Sequence, residues 1–87
     1  MVPISDRDLQ LARRLPDDII QAGGGSAAHR LVELVGENWG QYEMRARAEL
    51  VEALLPIVEP LLEPGAKATD RERGVCQAVV LKWLERQ

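Results

Sequence analysis

Phenylalanine is missing from this chain, and two Trp and one Tyr are its entire aromatic complement. With so few rings the interior has to be filled by Leu, Val, Ile and Ala, which leaves Trp39, Tyr42 and Trp83 as its large planar anchors. Such a core favours helix packing. Cysteine is nearly absent as well: Cys76 stands alone, so no disulfide forms within the chain and a reducing, cytoplasmic setting is expected. Met1 to Gln10 holds two Asp and no apolar run, unlike a cleavable secretory signal. Long hydrophobic stretches are lacking too. Glu52, Pro56, Glu59 and Pro60 interrupt the longest, Leu50 to Leu62, and a membrane helix needs about 20 apolar residues in a row. Nor is positive charge in excess: a net charge of −3 argues against general attraction to nucleic acid or anionic lipid. Arg13 with Arg14, Arg45 with Arg47, and Arg71 with Arg73 are interleaved with acids and read as solvated helix faces.

What the sequence does have is helical periodicity in one domain, residues 1–87. At this length roughly 60% of the unfolded surface is buried on folding, and an aliphatic stripe left uncovered would be buried by a second copy, so a homodimer is one expectation. Ser5 and Asp8 form a capping box with Asp in place of Glu, and Ile4 is placed to staple onto Leu9. Leu9, Leu11, Ala12 and Leu15 then share a face. Pro16 predicts the end of this helix near Leu15 and the first position of a second, short one, with Asp17 and Asp18 at its positive end and Ile19 and Ile20 toward the core.

Gly23, Gly24 and Gly25 each forfeit about 1 kcal/mol of helix propensity relative to Ala, so helix stops there. Ser26 is a good N-cap for a third helix carrying Ala27, Ala28, Leu31, Val32, Leu34 and Val35. Beyond it, Gly36 predicts a helix end, with Asn38 capping the next and Gln41 three residues on. The rival expectation is one kinked helix, because Leu31, Val35, Trp39, Tyr42, Ala46, Leu50, Ala53 and Ile57 keep nearly helical phase across both glycines. The segment from Gln41 to about Leu62 has strong helix formers up to Leu55. Pro56, Pro60 and Pro64, four apart, then bend or break it along one edge, with a stop at Pro64-Gly65. Thr69-Asp70-Arg71-Glu72 is a full capping box opening a last helix to Arg86, whose buried stripe is Val75, Cys76, Val79, Val80, Trp83 and Leu84. Gly74 suggests a close neighbour. The longest helices are expected at Gln41 to Leu62 and Thr69 to Arg86, within an all-α, small compact bundle of four to five helices.

Chemistry-bearing patterns are sparse. The glycine run lacks the preceding strand and Gly-Lys-Ser/Thr ending of phosphate loops. Ser26 as a nucleophile would need a base held by a third group, and His29 has only Glu33 for that purpose. His29, Glu33 and Glu37 fall one turn apart, but without a second cluster they read as a hydrogen-bonded helix face rather than a metal site. Cys76 reads as a small core hydrophobe. No cofactor is expected.

Two short segments resemble known families. GGGSAAHRLVEL, residues 23–34, resembles the Gly-Gly-His/Asp-Ser-Leu segment of peptidyl carrier proteins and the Asp-Ser-Leu of acyl carrier proteins, families of small acidic helical bundles. That resemblance implies Ser26 as the hydroxyl loaded with phosphopantetheine, although Gly25 stands where those families have Asp or His, and Ala27 where they have Leu. Leu15-Pro16-Asp17-Asp18-Ile19, followed by Ala27 to Val35 and Gly36, is similar to the helical dimerisation part of middle-operon transcription activators of Mu-like phages. It implies a DNA-associated regulator, but no basic reading helix follows.

With no convergent polar site, function is expected in surfaces: a cytoplasmic adaptor or regulatory subunit acting through a protein partner, without catalysis of its own. Trp39, Tyr42, Ile57, Val58, Leu61 and Leu62 are the contact candidates, because rings and apolar ridges dominate interface energetics. For Trp39 and Tyr42 the competing expectation is the core.

Overall fold

The computed structural model describes residues 4–22 and 25–87. Its elements are α1 (Asp6–Gln21), α2 (Ala27–Trp39), α3 (Met44–Val58), a 3₁₀ turn (Glu59–Leu62) and α4 (Asp70–Glu85). The described residues are all-α, as the periodicity predicts. α1 packs on α4, α2 on α3, and α3 closes against α4.

α1 opens with the predicted capping box. The Asp8 N–H donates to Ser5 Oγ at 3.2 Å, and the Ser5 N–H donates back to Asp8 Oδ2 at 3.3 Å. Contrary to the sequence expectation, the helix does not stop at Leu15 but runs through Pro16 to Gln21. An interior proline costs about 3 kcal/mol. Leu15, Pro16 and Ile19 are all buried on one stripe, and an aliphatic side chain taken out of water returns roughly 1.5–3 kcal/mol, so continuity prevails. Ile20, one residue round the helix, is 36% exposed rather than in the core.

Gly23 and Gly24, where the first glycine break was placed, lie outside the described residues. Gly25 has φ +81°, the left-handed backbone that glycine adopts without a Cβ penalty. Ser26 caps α2, its Oγ accepting from the His29 N–H at 3.1 Å. α2 then passes Gly36 and ends at Trp39 with Gly40 as its cap, so neither sequence expectation for this region holds. Leu31, Val35 and Trp39 form one buried stripe, and carrying Trp39 into it outweighs the ~1 kcal/mol propensity loss at Gly36. Asn38 is inside α2 rather than a cap. α3 begins only at Met44, after Glu43, which makes no side-chain cap bond.

α3 contains Pro56 in its last turn and gives way to the 3₁₀ turn bearing Pro60. Pro56, Pro60 and Pro64 are all exposed, so carbonyls left without an N–H partner on that edge meet solvent. The chain turns at Gly65, φ +83°. α4 starts after Thr69, but the expected box does not form: the Thr69 hydroxyl donates to the Glu72 carboxylate instead of accepting from a backbone N–H. Its buried stripe is Cys76, Val80, Trp83 and Leu84. Val75, assigned to that stripe from sequence, is 39% exposed. A Cβ at Gly74 would meet nothing within 4 Å, so that glycine marks no close neighbour. At 16 residues each, α1 and α4 are longer than the 15-residue α3.

Three aromatic rings lock the bundle. Trp83 stands edge-on to Trp39 at 6.3 Å and to Tyr42 at 5.0 Å between ring centroids. Both indole N–H groups are satisfied, Trp83 donating to the Ala46 carbonyl at 2.8 Å and Trp39 to Asp8 Oδ1 at 2.9 Å. Asp8 therefore caps its own helix and anchors the C-terminal end of α2.

Candidate functional site

The sequence candidates divide between interior and rim. Trp39 and Val58 are fully buried and Leu61 is 6% exposed, so these three side chains belong to the core and offer a partner no free surface. Tyr42, Ile57 and Leu62 are half-buried and pack against the same core. Ile57, together with the exposed Pro60 and Val75, lines a shallow groove of about 520 Å³ between the 3₁₀ turn and α4. Arg71 and Glu72 border it.

Ser26 and His29 do not assemble into a nucleophile and base. The Ser26 hydroxyl is engaged with the His29 backbone, whereas the imidazole Nε2 lies 3.2 Å from Glu33 Oε1. The His29 ring sits over Gly25, where a Cβ would come within 2.7 Å of Cδ2. Among the described residues no group of three His, Cys, Asp or Glu is arranged to hold a metal ion. Cys76 is buried in the core, and burial, with Glu72 nearby, pushes its thiol up to about 11. A thiolate is the reactive form, so this sulfur is inert in the folded chain.

Of the arginines read as solvated, Arg73 is instead a tie between α4 and α1. Its Nε and Nη2 each donate to Asp17 at 3.0 Å, and it also reaches Asp70 Oδ1 and the Ala68 carbonyl. Hydrogen bonding from Arg73 holds the Asp17 carboxyl below its ordinary value. Arg13 makes a second α1–α4 link to Gln77 Oε1 at 3.0 Å. A polar depression of about 490 Å³ between α1 and α2 carries Arg14, Asp18, Arg30, Glu33 and Glu37. Three of these already serve the fold, Arg14 paired with Asp18 and Arg30 donating to the Ile19 carbonyl.

One surface has the opposite character. Val32 of α2 and Met44 of α3 are 58% and 77% exposed, the two most exposed large hydrophobics among the described residues. They stand at a cleft of about 170 Å³ with buried Val35 and half-buried Val51 in its wall, Ala48 on its α3 side and Arg47 beside it. The Arg47 Nε donates to the Tyr42 carbonyl at 3.1 Å, fixing the guanidinium against the α2–α3 link. The cleft is thus apolar with one anchored cation, room for a single inserted side chain, and no chemistry of its own. Sequence reasoning placed Val32 on a core-facing helix and passed over Met44. A signal was present: besides its buried Leu50, Leu54 and Val58, α3 carries Met44, Ala48, Val51 and Leu55 at 4-3-4 spacing, a second apolar seam on another side.

No protein-family profile, curated protein or solved structure matches this chain. The resemblances at residues 23–34 and 15–36 stand on those short segments alone. Among the described residues, no helix is long and apolar enough to cross a membrane.

Proposed function

We propose that this chain is a cytoplasmic protein-interaction module, an adaptor or regulatory subunit without catalysis of its own, and that it receives its partner along the α2–α3 face. The observation that carries this reading is the solvent-facing pair Val32 and Met44 over an apolar cleft. Exposed apolar side chains grouped on one face are where association gains most from removing water. The separate engagements of Ser26 and His29 favour binding over acyl or nucleophilic chemistry.

The test is site-specific photo-crosslinking in cells, with benzoylphenylalanine replacing Val32 on the proposed face or Gln10 on the exposed side of α1. Adducts of defined mass from the Val32 position, and few from the Gln10 position, are expected. Equal or absent adducts at both positions would remove the reading.

A further inference from the structure

Resting on that reading, we infer that the α2–α3 face takes a second copy of this chain, joined by antiparallel pairing of α3 with α3. Three features of the face fit this occupant. First, Met44, Ala48, Val51 and Leu55 form a 4-3-4 seam, the spacing by which one helix packs along another, and Met44 and Ala48 in it are exposed. Second, Ala48 lies in the middle of that seam and lets two backbones approach closely. Third, Arg45 and Glu52 each directly follow a seam residue, Met44 and Val51, and so flank the same edge. Both are exposed, and neither side chain has an ion pair or hydrogen bond among the described residues.

Antiparallel alignment that sets Met44 against Leu55, and Ala48 against Val51, brings Arg45 of each copy within reach of Glu52 of the other, twice by symmetry. Flanking charges of this kind choose partner and orientation in paired helices. A parallel alignment would carry the Arg45–Glu52 edges of the two copies to opposite sides of the pair, where they cannot meet. Val32 of α2 adds a second wall, so each α3 rests beside the cleft of the other copy rather than on a bare helix. The contact is isologous, with the same patch on both sides and no open end to propagate.

The contact is also small. α3 has 15 residues and is therefore about 22 Å long, so the buried area falls at the low end of interfaces, under about 1,200 Å² in total. The dimer is weak and concentration-dependent.

Sedimentation velocity of the purified full chain across the micromolar range tests this, with far-UV circular dichroism confirming unchanged helicity of each variant. The wild type should pass from monomer to dimer as concentration rises, and Met44→Glu should remain monomeric. Arg45→Glu and Glu52→Arg should each raise the dimer dissociation constant at least tenfold when alone. Mixed in equal amounts, those two variants should associate again, because the pairing then sets opposite charges together at both symmetry-related contacts. A wild type monomeric throughout, or a dimer indifferent to both charge reversals, would overturn the inference. Adducts from the Val32 position with a different protein would in that case still uphold the interaction reading, so the two failures are distinguishable.

Discussion

Replacing Asp8 with Ala should weaken this fold more than its place in the first turn of a surface helix suggests. Asp8 accepts from the Trp39 indole at 2.9 Å, from the Ser5 N–H at 3.3 Å and from the Ser5 hydroxyl at 3.0 Å. Trp39 is wholly buried, so removing the carboxylate strands its N–H away from water, a loss of about 1–3 kcal/mol. Loss of the first-turn charge adds roughly 0.3–1 kcal/mol. The expected total is about 1.3–4 kcal/mol. Stability near 0.05–0.15 kcal/mol per residue puts this 87-residue chain at roughly 4–13 kcal/mol, so the variant sits close to its folding limit. Urea unfolding followed by circular dichroism gives the number. Asp6→Ala is the control: Asp6 also lies in the first turn and is exposed, and its loss should cost no more than about 1 kcal/mol if only the helix dipole matters there. The same reasoning fixes a pH dependence. Burial raises the Asp8 pKa, but hydrogen bonds from Trp39 and Ser5, with the Arg7 charge, outweigh it and hold the carboxyl below its ordinary 3.8. A carboxyl depressed on folding stabilises above its unfolded pKa and loses that contribution as pH falls through the folded one. The gap between wild type and Asp8→Asn should therefore be constant near neutrality and close below about pH 4. Equal losses for the Asp8 and Asp6 substitutions to Ala, or a gap that persists in strong acid, would refute the reasoning.

Two glycines should respond in opposite senses. Gly74→Ala, inside α4 with nothing within 4 Å of the new Cβ, should stabilise by up to about 1 kcal/mol in urea unfolding. Gly25→Ala, at φ +81° with the His29 ring 2.7 Å from that Cβ, should destabilise by about 1–2 kcal/mol. Trp83→Ala removes the ring held between Trp39, Tyr42 and the Ala46 carbonyl and should cost at least about 3–5 kcal/mol, seen as a largely lost unfolding transition. Cys76, with its thiol pushed up to about 11 by burial, should react with a thiol reagent at neutral pH only as fast as the chain opens; immediate stoichiometric labelling of native protein would contradict its place in the core.

The helices were legible where their cause is local. Ser5 with Asp8 and Ser26 before Ala27 are set by neighbours in the sequence, and the structure keeps them; Gly65 marks a turn, but helix has already ended at Leu62. Pro16 and Gly36 misled for one shared reason. Each carries a real local penalty, yet the burial of Ile19 beyond Pro16, and of Trp39 beyond Gly36, depends on helices distant in sequence. Helical phase already puts Ile19 and Trp39 on apolar faces, but it carries no measure of the packing that outweighs each penalty. The Asp8–Trp39 and Arg73–Asp17 bonds, across 31 and 56 residues, are invisible for the same reason, because a charge pattern cannot say which acid a distant donor will meet.

The surface was harder to read than the core because a helix with two apolar sides does not say which is the inner one. On α3, Leu50, Leu54 and Val58 face inward, whereas the Met44–Ala48–Val51–Leu55 side is only partly covered. The choice is settled by Trp83 of α4, whose indole reaches the Ala46 carbonyl and so seats α4 against one side of α3. Once that side is occupied, α2 covers part of the other, and Val32 and Met44 are left in solvent at its edge. The candidate interface is thus the remainder after the rings are buried. That explains why the aromatic residues, the strongest interface signal in the sequence, pack in or against the core, while an aliphatic valine and a methionine are left in solvent.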